Sequence, residues 1–143
     1  LFTPSIPEQT DWSRFNCRLQ RGSDIGECMM NAFEELFDSG FEKVIVIGSD
    51  CYSINEEIIL EAFESLEKSD YVIGPAEDGG YYLLGMKYLN PELFENMEWS
   101  TDRVFKKTIE KLSDKSVHVL TRLNDIDTLE DLKKEPELLN LVK

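Results

Sequence analysis

The chain has 143 residues, 41% of them hydrophobic, which suits one compact domain over residues 1–143. Its 29 acidic and 15 basic residues leave a formal charge of −14, a field that argues against nucleic acid but still allows a metal-bridged nucleotide phosphate. No apolar run approaches the ~20 residues of a bilayer span and no basic-then-apolar leader is visible, so a cytoplasmic protein without a membrane span is expected.

The segment "LFTPSIPEQTDW" reads as a strand end running into a Pro-punctuated loop. "FNCRLQ" alternates enough for a short strand. Asp24 then caps a predicted helix, with Ile25, Met29, Ala32, Phe33, Leu36 and Phe37 on its core face and Gly40 at its end. Val44 to Ile47 is a β-branched run, expected as a strand buried on both faces of a parallel sheet. Ser53 and Glu56 have capping-box spacing before a second helix carrying Ile58, Ile59, Ala62, Phe63 and Leu66. "DYVIGPA" reads as another buried strand, with "GYYLLGM" pairing beside it. Pro91 starts a short helical turn, and Thr101 caps a predicted helix to about Leu112. "SVHVLTRL" is a predicted strand, and "DIDTLEDLKK" opens a last helix, with Thr128 and Asp131 in capping-box relation. Strands alternating with helices predict an α/β sheet with helices on its faces. In such sheets ligands bind beyond the carboxyl ends of the strands.

That rule directs attention to the strand-to-helix loops. Asp50 closes the most apolar strand, either as a metal ligand or as a loop aspartate satisfying backbone amides. Asp125 and Asp127 are two apart and share a face if extended. One could converge with Asp50 on Mg²⁺ or Mn²⁺, and Asp127 or Thr128 could equally cap the last helix. "QRGSDIGE" places two glycines between a strand and a helix, where backbone can approach a ligand. Trp99 could stack on substrate or fill the core. The "EDGG" of residues 77–80 reads locally as a hairpin turn. Cys17, Cys28 and Cys51 have no CxxC spacing and fit reduced thiols. His118 stands alone, which argues against a Ser-His-Asp triad and favours a structural role.

Five segments, "QRGSDIGECM", "VIVIGSDC", "GPAEDGGYYLLG", "LFENMEWST" and "NDIDTLEDL", occur in an order that resembles bacterial glycosyltransferase-A-like proteins. These are known as radical-SAM/selenodomain-associated transferases or uncharacterised glycosyltransferases. The chain is more distantly similar to the molybdenum-cofactor and phospholactate guanylyltransferases. The resemblance implies a nucleotide-diphospho-sugar transferase (glycosyltransferase-A) type mixed sheet with helices on both faces. It implies that Asp50 and Asp125, with Asp127 as the alternative, hold Mg²⁺ or Mn²⁺ at the catalytic centre. Gln20, Gly22, Asp24 and Gly26 would lie along the nucleotide, with Gly48 and Ser49 beside them. Asp78, Gly79 and Gly80 would line the acceptor side, bordered by Trp99, Ser100 and Thr101.

Three departures qualify the resemblance. Tyr52 stands where the family commonly has proline, and Cys28 where it usually has arginine. The family's N-terminal strand and phosphate-gripping loop have no counterpart before "LFTP". A segment of roughly fifty residues, one strand–helix unit, is therefore expected to be absent. Little or no turnover is then expected of this span alone, and its open sheet edge could be covered in a homo-oligomer. The expected function is metal-dependent glycosyl transfer from a nucleotide-sugar to a small-molecule acceptor. The alternatives are nucleotidyl transfer of the cofactor-guanylyltransferase type, or a binding module of the same fold without turnover.

Overall fold

In the computed structural model, which describes residues 2–4, 15–49 and 51–124, the chain forms a mixed sheet with helices on both faces. The first two strands, β1 (Phe2–Thr3) and β2 (Arg18–Leu19), pair in parallel as a separate ribbon. Helix α1 (Ile25–Asp38) begins where expected, because the Asp24 carboxylate accepts the Glu27 amide at 2.8 Å. Glu27 answers by accepting the Ser23 amide and hydroxyl at 2.8 and 2.7 Å. Ala32 and Phe33 are buried on the core face of α1. Ile25, expected on that face, is 48% exposed.

The main sheet contains β3 (Val44–Ile47), β4 (Tyr71–Pro75), β5 (Tyr81–Met86) and β6 (Val117–Val119) in the order β3-β5-β4-β6. Strand β5 runs antiparallel to both β3 and β4, and β4 runs parallel to β6. Strands β3, β4 and β6 therefore point the same way, and their carboxyl ends reach one edge. Helix α2 (Glu56–Lys68) packs on one face and α3 (Val104–Lys111) lies on the other with α1.

Two expectations for these elements fail. Val44–Ile47 is not buried on both faces in a parallel sheet. It pairs only with antiparallel β5 among the described residues, and Ile47 is 47% exposed. A β-branched run specifies strand geometry, whereas burial depends on the neighbours that strand finds. The cap of α2 is Asn55, not Ser53: the Asn55 side-chain oxygen accepts the Ile58 amide at 3.0 Å. Phe63, expected on the core face of α2, is likewise exposed.

Side chains alternate across β4, so the sheet separates two apolar clusters. Tyr71 and Ile73 join Phe33, Val44, Leu84 and Phe94 on the α1 and α3 face. Val72 joins Ala62, Leu66, Leu83 and Cys51 on the α2 face. Phe33 is fully buried, with ring centroids 6.3 Å from Phe37 and 6.0 Å from Phe94. Phe33→Ala is expected to destabilise the fold by about 3–5 kcal/mol, measured by urea unfolding.

Candidate functional site

The carboxyl edge collects three chain segments. After β3, the Gly48 amide donates to the Tyr82 carbonyl at 2.9 Å, and exposed Ser49 follows. After β6, residues 120–124 continue along β4 and past its end. Leu120 and Leu123 amides donate to the Ile73 and Pro75 carbonyls, and Ala76 bridges Leu123 in parallel. Tyr82 ties this extension down by donating its hydroxyl to the Thr121 carbonyl at 2.9 Å.

Asp50, Asp125 and Asp127 lie outside the described residues, as does the predicted last helix. The residues next to the first two are described. Buried Cys51 brings its Sγ to 3.7 Å from the Asn124 carbonyl oxygen. The chain immediately after Asp50 thus touches the chain immediately before Asp125. Among the described residues, no group of three or more His, Cys, Asp or Glu could hold a metal ion.

Residues 76–80 make the turn between β4 and β5. The Ala76 amide donates to Gly80 oxygen at 3.1 Å, and the Gly79 amide to Ala76 oxygen at 3.3 Å. Asp78 Oδ1 accepts the Gly80 amide at 2.8 Å. The local hairpin reading is therefore correct, and the turn also stands at the carboxyl edge. Gly79 has φ +91°, and a Cβ there would lie 2.2 Å from the Asp102 carbonyl oxygen. From that position the Gly79 carbonyl accepts the Phe105 amide at 2.9 Å, so the turn supplies a cap for α3. Thr101 was the expected cap. Its hydroxyl instead donates to the Glu98 carbonyl at 2.7 Å, and the helix starts three residues later at Val104.

The glycine-bearing loop before α1 meets the segment around Trp99 directly. A Cβ on Gly26 would lie 2.3 Å from Trp99 Nε1, so only glycine lets the indole edge rest on the first turn of α1. Trp99 also stacks on Phe94, with centroids 6.5 Å apart and an interplanar angle of 26°. Beside it, Ser100 holds a left-handed φ of +59°, a conformation non-glycine residues rarely adopt. Gln20 donates its amide to the Thr3 carbonyl at 2.8 Å. Asp24 is engaged as the helix cap, and the Ser23 amide and hydroxyl hold Glu27 below the usual carboxylate range. The structure thus brings Gly26 against Trp99, and Gly79 against Asp102, the residue after Thr101.

Arg122 escaped the sequence reading, where it stood only as one basic residue inside a predicted strand. Its Nη1 donates to the Ala76 carbonyl at 2.7 Å, and its guanidinium carbon lies 5.6 Å from the Phe105 ring centroid. His118 lies on β6 with Nε2 3.1 Å from Glu61 Oε1, as a surface partner of α2. A shallow groove of about 440 Å³ runs beside α1, lined by Arg21, Asn31, Glu34, Glu35 and Asp38. Its three carboxylates make it a poor host for phosphate. Among the described residues, no helix is long and apolar enough to cross a membrane.

The family model of "uncharacterized protein conserved in bacteria (DUF2064)" matches residues 4–101. The chain is also similar to the crystal structure of a "putative nucleotide-diphospho-sugar transferase" from Desulfovibrio desulfuricans G20. That match has a TM-score of 0.76 at 29% identity and covers 87% of this chain. The chain spans 65% of that neighbour's length. No curated protein matches it. The mixed α/β fold that the five motifs implied is thus the fold observed.

The turn and α3 meet at Gly79, where added bulk would strike the Asp102 backbone. Gly79→Ala is expected to destabilise the protein by at least about 2 kcal/mol in chemical denaturation, through strain at φ +91° and the clash with Asp102.

Proposed function

The chain belongs to the DUF2064 family, and from that premise we propose that it is a nucleotide-sugar transferase working at the carboxyl edge of β3, β4 and β6. The observation that carries this reading is the contact between Cys51 and Asn124. It joins the chain beside Asp50 to the chain beside Asp125, the two carboxylates assigned to Mg²⁺ or Mn²⁺. Oxygen ligands suit these hard cations, and one or two carboxylates suffice when substrate phosphates complete the shell. A divalent cation held there supplies charge neutralisation for the diphosphate leaving group. Asp127 is the alternative second ligand. The likeness to the Desulfovibrio structure supports the substrate class.

The chain's own residues divide the work. Gln20, Gly22, Asp24 and Gly26, with Gly48 and Ser49, are assigned to the nucleotide. Asp78, Gly79, Gly80, Trp99, Ser100 and Thr101 are assigned to the acceptor side. The packing of Trp99 on Gly26 puts one residue of each set in contact, which supports orienting the acceptor against the donor. No covalent intermediate is required. Cys51 is buried against Asn124, and His118 is engaged with Glu61.

The test is a thermal-shift panel of uridine and guanosine diphosphates and their sugar esters with Mn²⁺, on the full-length protein. A ligand at about 100 times its Kd adds roughly 2.7 kcal/mol of stability, which raises Tm by a few degrees. Asp50→Ala and Asp125→Ala are expected to remove the Mn²⁺-dependent shift. An unchanged shift in Asp50→Ala rules the assignment out. Release of nucleoside diphosphate identifies glycosyl transfer, and pyrophosphate identifies nucleotidyl transfer. Absence of any shift in the wild type identifies a module without this ligand.

A further inference from the structure

We propose that Arg122 is an oxyanion-binding residue of this edge, receiving the phosphate or carboxylate group of a substrate. The proposal rests on the functional reading above for the substrate but on separate observations for the residue. Most cations among the described residues pair with carboxylates, as Arg18 does with Glu35 and Lys107 with Glu98. Among the described residues Arg122, like Arg21, Lys68 and Lys111, forms no ion pair with a carboxylate. It is exposed, yet it is fixed twice, by the Ala76 carbonyl at 2.7 Å and by the Phe105 ring.

Each of these features suits anion capture. A guanidinium has five N–H donors in a planar fork, and the Ala76 carbonyl engages only one group. The fork matches two oxygens of a phosphate or carboxylate. Stacking on Phe105 orients it in advance, which reduces the entropy lost on binding. The overall charge of −14 disfavours anions, so a bound one needs a local fixed cation. The location is also apt. Ala76 opens the turn that carries Asp78, Gly79 and Gly80, and Phe105 donates its amide to Gly79. Arg122 therefore stands two residues before Asn124 and against the base of the proposed acceptor loop.

Calorimetric titration of the full-length protein with inorganic pyrophosphate, in metal-free buffer at low salt, tests the proposal. Arg122→Gln removes the charge and the fork and is expected to weaken binding about tenfold or more. Arg122→Lys keeps the charge without the fork and is expected to fall between the two. A merely structural Arg122 would lower Tm without moving pyrophosphate affinity. Equal affinity in the three proteins overturns the proposal, as does undetectable binding by the wild type. UDP and GDP with Mn²⁺ then distinguish the source. Parallel weakening in Arg122→Gln assigns the oxyanion to the donor diphosphate, and unchanged nucleotide affinity assigns it to an acidic acceptor. Mn²⁺ binding by the wild type is measured alongside. Its absence removes the metal assignment alone, whereas Arg122-independent pyrophosphate binding removes the oxyanion assignment alone.

Discussion

The bond from the Phe105 amide to the Gly79 carbonyl organises the edge on which everything else depends. It forms only because Gly79 sits at φ +91° against the Asp102 backbone, where a side chain has no room. Through it the β4–β5 turn sets the start of α3. Helix α3 in turn presents Phe105 beneath Arg122, and the segment before it folds Trp99 onto Gly26. The hairpin, α3, the first turn of α1 and the Arg122 segment are thus linked by these contacts.

The sheet provides the second constraint. Antiparallel β5 separates β3 from β4, yet leaves both pointing the same way. Their loops emerge together with the extension of β6, which bonds past the end of β4 as far as Glu77. The Cys51–Asn124 contact is the consequence of that convergence. The same arrangement explains how a tight hairpin comes to stand at the carboxyl edge. Its amides are satisfied internally by Ala76 and Asp78, while its outer surface faces the strands' carboxyl edge.

How much was legible in the sequence differs by element. The cap at Asp24, the buried strand β4 and the 76–80 turn follow from local chemistry, and local chemistry decides them. The misread caps at Ser53 and Thr101 have a common cause. Several residues in each loop can cap, and the one that does differs in kind: the neighbouring Asn55 side chain takes the Ile58 amide, whereas the remote Gly79 carbonyl takes the Phe105 amide. Burial of β3 was misjudged because apolar β-branching reports strand preference, not the number of neighbours. Arg122 was invisible because its meaning comes from Ala76 and Phe105, both remote in the chain. The five ordered motifs carried the fold, while the carboxylates they single out at Asp50, Asp125 and Asp127 lie outside the described residues.

An acidic protein that handles an anionic donor needs its positive charge concentrated at the site of binding. A divalent cation between Asp50 and Asp125, with Arg122 nearby, would provide it against a background of −14. The central claim is that Asp50 and Asp125 share one ion. A double-mutant cycle on Mn²⁺ affinity tests it, using the full-length wild type, Asp50→Asn, Asp125→Asn and the double variant. If the ion is shared, the double variant loses little more affinity than either single one. Losses that simply add, or a full-affinity Asp50→Asn protein, would contradict it.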